Sequence, residues 1–128
     1  MRDIANNIGV VQAVAPAVLS ATNTSPAIDL IGFDSAAVIV NSGAIVTAGD
    51  FTAKIQESDT TTSGDFTDVA AADLIGTFPA TLAADSVVKV GYTGVRRYVR
   101  TVLTKNGGTS IAAGVMVVKG HAAGRPVA

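Results

Sequence analysis

The sequence predicts an all-β chain, an antiparallel β-sandwich of jelly-roll type with at most a short helical turn. Three observations carry this. Phe51–Ser58 alternates with period two, and Val95–Thr104, rich in Val, Thr and Tyr, splits by the same period into two faces, neither of them cleanly apolar. Polar turn clusters such as Ser20–Pro26, Asp59–Asp65 and Lys105–Gly108 separate such runs. No stretch carries the i, i+3, i+4 apolar repeat of a long amphipathic helix.

Taken in order, Met1–Asn7 is polar and reads as an extended arm. Ile8–Leu19 is rich in Val and Ala but holds Pro16, which cannot donate to a central ladder. It is therefore an edge strand or a strand broken at Pro16. Ala27–Phe33 and Ala36–Asn41 are short strands, the second closed by Ser42-Gly43, with Ala44–Val46 as a possible extension. Phe51–Ser58 places Phe51, Ala53, Ile55 and Glu57 on one face. The alanine-rich Val69–Ile75 fits one helical turn or a break between two short strands, Phe66–Val69 and Leu74–Phe78.

Pro79–Asp85 is a connection, and Ser86–Tyr92 is the next strand. A glycine-bracketed turn, Gly91–Gly94, leads into Val95–Thr104, and Asn106-Gly107 is the strongest hairpin signal in the chain. On that signal Val95–Thr104 and Ser110–Lys119 pair as a hairpin. The expected organisation is an arm over residues 1–14, a sandwich over 15–120 and a tail over 121–128.

One run concentrates the charge problem. Arg96, Arg97 and Arg100 flank Tyr98, and each guanidinium needs a counter-charge or solvent. All ten acids lie between Asp3 and Asp85. Residues 1–88 thus carry ten acids against Arg2 and Lys54, a formal −8, while residues 89–128 carry +7, giving the net −1 of the chain. Arginine–carboxylate pairing within or between subunits is the reading this asymmetry favours. Tyr98 among arginines also fits a stacking platform for nucleic acid. Eight surplus acids elsewhere and the absence of a long basic segment argue against that partner.

Composition narrows the function classes. Without cysteine there are no disulfides, thiolate nucleophiles or Cys–zinc sites. His121 is the sole histidine and sits among Ala and Gly, where an exposed or capping role is the plain reading. Asp59, Asp65 and Asp68 lack the spacing of a calcium loop. Glu57 with a neighbouring acid is a chance carboxylate pair rather than a glycosidase signature. No phosphate-binding glycine loop and no Gly-x-Ser-x-Gly elbow is present. The expectation is a non-enzyme with no cofactor and no metal. No apolar run reaches the ~18 residues of a membrane span, and Gln12 and Pro16 interrupt the faintly signal-like Ile8–Leu19. With a mean hydropathy of +0.46 and only 15% charged residues, the chain has little polar surface to cover a monomer. A homo-oligomer, dimer or trimer, follows as the expectation.

Several short blocks point to a family. They are Met1-Arg2-Asp3-Ile4-Ala5-Asn6-Asn7-Ile8, the Val10–Pro16 stretch, Asp73–Gly76, Gly91-Tyr92-x-Gly94-x-Arg96-Arg97-Tyr98-Val99-Arg100, and Gly120-His121 before the proline-containing tail. Together they resemble small head-region virion proteins of tailed bacteriophages. The resemblance implies a capsid cement (decoration) protein, made in the host cytoplasm and carried on the capsid surface, that oligomerises on the shell and bridges major capsid subunits. Under that reading the interface residues are Arg2, Asp3, Asn7, Val10 and Val11 of the arm, with Arg96, Arg97, Tyr98 and Arg100. A head–tail connector or tail component, and a carbohydrate-binding sandwich, are the competing classes.

Overall fold

The computed structural model describes residues 3–124. Its strands are β1 (Gly9–Leu19), β2 (Asn23–Thr24), β3 (Ile28–Asp29), β4 (Phe33–Val46), β5 (Asp50–Ser58), β6 (Thr67–Asp68), β7 (Leu74–Ile75), β8 (Val87–Tyr92), β9 (Tyr98–Gly107) and β10 (Ser110–Ala122). The helical content among the described residues is two single 3-10 turns, Ser63–Asp65 and Ala71–Asp73. The second falls inside the alanine-rich stretch where a helical turn is expected.

The pairing is nested. β5 pairs β6, β4 pairs β8, β2 and β3 pair β9, and β1 pairs β10, all antiparallel. A chain paired this way is one long hairpin rolled over on itself. It yields sheet I in the order β1-β10-β4-β8-β7 and sheet II in the order β2-β9-β5-β6, with β3 also on β9. That is the jelly-roll arrangement.

Between the sheets, period-two alternation does the sorting. Val117 pairs Val38, which pairs Val90, and two residues along Val115 pairs Val40; these five valines face inward and are almost wholly buried. Sheet II answers with Phe51, Ala53 and Ile55 of β5 and with Val99 and Leu103 of β9. Leu82, from the β7–β8 connection, adds a buried peg whose N–H donates to the Phe51 carbonyl at 2.9 Å.

Three expectations change. β9 and β10 lie in different sheets and do not form a hairpin. Asn106 and Gly107 belong to β9, and the turn comes at Gly108, whose φ of +73° no other residue type adopts readily. Second, Ser42-Gly43 does not end the strand, and β4 runs unbroken to Val46. The buried Ser42 hydroxyl donates to the Ala83 carbonyl at 2.6 Å, and its backbone exchanges hydrogen bonds with Ser86, so the polar pair is satisfied inside the sheet. Third, the sheet takes up more of the chain at both ends than the sequence allots. Gly9–Val14, read as arm, is the first half of β1, and β10 reaches Ala122. The pairing with β10 explains this, because it lets Val11 and Val14 pack on the core.

Pro16 reads correctly. β1 is an edge strand of sheet I, and its register on β10 shifts twice between Gln12 and Ala17. Opposite the bulge stands Gly114, where an added Cβ would lie 3.1–3.2 Å from Pro16, so the proline rides over a position kept bare.

Candidate interaction surface

The β8–β9 connection, residues 93–97, lies against the loop between β3 and β4 at one end of the sandwich. Tyr92 sets it there. The last residue of β8, its side chain crosses from sheet I to sheet II, where its hydroxyl donates to Glu57 Oε1 at 2.8 Å. The Tyr92 hydroxyl oxygen in turn accepts the Arg96 N–H at 3.2 Å. Burial first, and then the Glu57 carboxylate, push the Tyr92 hydroxyl well above its usual range, so it stays a donor. Gly94 must be glycine in this arrangement, since a Cβ would sit 2.4 Å from the Tyr92 hydroxyl.

With the loop fixed, its two arginines reach acids from early in the chain. Arg97 grips Asp29 with two parallel bonds, Nε to Oδ1 at 3.0 Å and Nη2 to Oδ2 at 2.8 Å. The Arg97 carbonyl accepts the Leu30 N–H at 2.8 Å, and Asp29 Oδ1 also takes the Ile31 N–H at 3.0 Å. Arg96 pairs with Asp59 through Nη1 and Oδ2. Arg100 is different. It lies on β9, donates to Gln56 Oε1 at 2.8 Å and Ser63 Oγ at 2.9 Å, and lies over the Phe66 ring at 4.4 Å. Its partners are neutral.

The partners of Arg96 and Arg97 therefore come from the acid-rich first two thirds of the chain, as the charge asymmetry predicts. Both pairs are about half exposed, so both are screened and neither anchors the fold. The strand itself starts at Tyr98, so Arg96 and Arg97 are loop residues and do not share strand faces with Arg100. From Val99 onward Val99, Thr101 and Leu103 face inward, and Val102 between them is buried as well.

In the same loop as Arg96 and Arg97, Val95 is 95% exposed, and Ile31 on the adjoining loop is 64% exposed. Both line one open concavity of about 550 Å³ together with Phe33, Arg96 and Arg97. Two bare apolar side chains framed by paired charges make a surface suited to a protein partner. Sequence reasoning named the arginines but missed Val95, Ile31, Tyr92 and Glu57. The glycine-bracketed turn Gly91–Gly94 just before Val95 was the available signal; nothing local marks Ile31.

The remaining predicted residues lie elsewhere. Arg2 is outside the described residues. Asp3 is spent on a local turn, accepting the Asn6 backbone N–H at 3.1 Å and the Asn6 amide at 2.7 Å, while the Asn7 amide bonds the Asp3 carbonyl. Val11 is half-buried and packs on the core, whereas Val10 is 57% exposed on the outside of sheet I. Tyr98 is half-buried, its ring centre 5.0 Å from the Arg97 guanidinium carbon. His121 is exposed and bonds Ser35 Oγ through Nδ1 at 2.8 Å. No group of three His, Asp or Glu able to hold a metal exists among the described residues.

Asp29 makes this end of the molecule pH-dependent. The Arg97 hydrogen bond holds its carboxyl below the ordinary range, partly opposed by desolvation. A group with a depressed folded value contributes fully above its unfolded value of about 4 and loses that contribution as pH falls through the folded one. Amide exchange at Ile31, corrected for the intrinsic rate, should therefore quicken below pH ~4 while the β4 and β9 interiors stay protected. Unchanged protection of Ile31 down to pH ~2 would remove Asp29 as the tie between these loops.

No protein-family model matches the chain, and no curated protein matches it. Among solved structures, the SPBc2 prophage-derived protein YomS superposes with a TM-score of 0.57 at 10% identity, covering 88% of this chain and 92% of that one. A structure of infectious bursal disease virus, Gx strain, gives 0.43 at 16% identity, covering 89% of this chain and 32% of that one. A Bacillus endospore appendage, from a family of disulfide-linked pili, gives 0.46 at 16% identity, covering 94% and 96%. The likeness to YomS is one of fold; the other two superpose too loosely to bear on it.

Proposed function

We propose that this chain is a structural component of a tailed-phage virion, a capsid cement protein that sits on the head shell and bridges major capsid subunits. The observation that carries the reading is the loop end of the sandwich, where the exposed Val95 and Ile31 line one concavity with the acid-paired Arg96 and Arg97. Such a patch meets another protein with an apolar centre and a charged rim, which fixes orientation and resists wrong partners. A jelly roll shared over nearly the whole chain with a prophage-derived protein supports the setting, as do the sequence blocks that resemble head-region proteins.

A carbohydrate-binding module is less well supported. Every Phe and Tyr of the chain is buried or half-buried, so no aromatic platform faces solvent.

The test is decoration of phage heads that lack the protein. Val95→Asp with Ile31→Asp should leave the domain folded, because both side chains are solvent-facing, and should weaken shell binding by about 100-fold or more as two charges enter an apolar contact. Normal decoration by the double variant would move the shell contact elsewhere on the molecule. Failure of the unaltered chain to bind heads at all would overturn the cement reading.

A further inference from the structure

We propose that the outer face of sheet I is a self-association surface, covered by the same face of a second copy. The ladder registers lay out that face in rows. One row crosses all five strands as Val10, Val118, Ala37, Gly91 and Ile75. The next holds Met116 and Ile39, with Gln12 and Lys89 at its ends. Along these two rows Lys89 is the single charge. Val10 and Ile75 are 57% and 66% exposed, and Val87, one rung further, is 67% exposed.

The opposite outer face, on sheet II, shows what this chain does with a solvated surface. There Lys54 pairs Asp68 at 3.2 Å, Gln56 donates to Asp68 at 2.9 Å, Arg100 donates to Gln56, and Asn106 donates to Thr52. One sandwich thus carries a hydrogen-bonded, charged exterior on one side and a nearly uncharged one on the other. Free water favours the first and not the second.

Charge and area identify the occupant. An acidic or basic partner finds no counter-charges here beyond Lys89, and the exterior of sheet II is the wrong chemistry. The surface on this chain that matches the face is the face itself. Four strands about 4.8 Å apart, over six to eight residues of ~3.3 Å each, with the two-residue β7 at their edge, present on the order of 400–550 Å² per copy. Two copies bury roughly 800–1,100 Å², which reaches the lower end of the sizes at which a specific interface is stable. A two-fold axis along β4 is self-consistent. It sets Ala37 and Ile39 on their own equivalents, Val10 over Ile75 of the second copy, and Val118 over its bare Gly91. Lys89 then lies along Met116, where its methylene stem packs and its ammonium reaches the rim.

This inference does not rest on the cement reading and is tested without a shell. Sedimentation of the intact chain at micromolar concentration should give a dimer. Ile39→Glu should weaken it by about 100-fold, since it buries a carboxylate against its own equivalent, whereas Lys54→Glu on sheet II should leave the dimer intact. The chain has no cysteine, so a short thiol-reactive cross-linker spanning about 8–10 Å should join two Ala37→Cys copies across the ~10 Å between packed sheets, and should not join Thr104→Cys copies through sheet II. The cross-link decides the matter if Ile39→Glu fails to fold. A monomer with no Ala37→Cys cross-link overturns the proposal. So does a dimer that survives Ile39→Glu, or a trimer, because a two-fold face closes at two.

Discussion

Gly49→Ala and Gly108→Ala should each cost the domain about 3 kcal/mol or more, and fail to fold if the two are combined. At these positions the chain crosses from one sheet to the other, in the β4–β5 and β9–β10 corners, and the two corners back onto each other. A Cβ on Gly49 would lie 2.2 Å from the Ser110 carbonyl oxygen, and one on Gly108 would lie 2.2 Å from that of Ala48. Both obstacles are backbone. Neither can rotate away as a side chain would, so relief requires shifting β5 or β10 within its sheet. Gly108 adds the strain of a positive φ. The neighbouring Thr47 and Ala48 already sit at φ of 50° and 54° in a tight turn closed by the Gly49 N–H on the Val46 carbonyl, which leaves that corner no slack. Gly64→Ala is the control, with nothing within 4 Å, and should stay within about 0.5 kcal/mol of the parent. Chemical denaturation of the three variants checks the ordering. A loss below ~1 kcal/mol at both corners would show that the crossings are pliable.

Those corners also show where sequence reasoning reached its limit. Asn106-Gly107 between two alternating runs carries every local mark of a two-residue hairpin, yet β9 and β10 separate into different sheets. The local signal encodes a change of direction. Whether the returning strand pairs with its predecessor or with β1 and β4 depends on which apolar faces the whole roll must bury, and that is not a local property. The alternation of Phe51–Ser58, the edge position of the Pro16 strand and the single turn near Ala71 were legible because each follows from backbone sterics or period. Loop residues that become core were not. Leu82 lies in a stretch with no period, and its burial follows from the loop being drawn across the open end of sheet II by the bond to Phe51.

The charge asymmetry was legible in part. It required the late arginines to find early acids, and Asp29 and Asp59 are 68 and 37 residues from their partners. It did not say which acids. Nor did it show that the guanidiniums would be exposed, which turns them from anchors of the fold into the rim of an interaction surface. Val95 looked like one position in a strand. Held out of the ladder by the Tyr92–Glu57 tie, it became the most exposed large apolar residue among those described.

The second large effect is expected in the core. Phe51→Ala should cost about 4–5 kcal/mol, at the upper end of the range for such a truncation, and lower the melting temperature by roughly 10–20 °C. The cost depends on how far the surroundings collapse into the void, and here they cannot. Phe51 is fully buried, and the core it shares is built largely from valine and alanine. Ala13, Ala36, Ala53 and Ala113 have no reach, and the β-branched valines hold their rotamers stiffly. Phe66→Ala provides the comparison. Its ring lies outside the central cluster, beneath the Arg100 guanidinium, where water and the long arginine chain can fill the gap. It should lose about 1–3 kcal/mol. Against a total stability of about 5–15 kcal/mol for a domain of this size, the Phe51 truncation leaves a small margin. A thermal scan would then show Phe51→Ala unfolding well before Phe66→Ala, and equal shifts for the two would mean that the valine–alanine core relaxes around a missing ring.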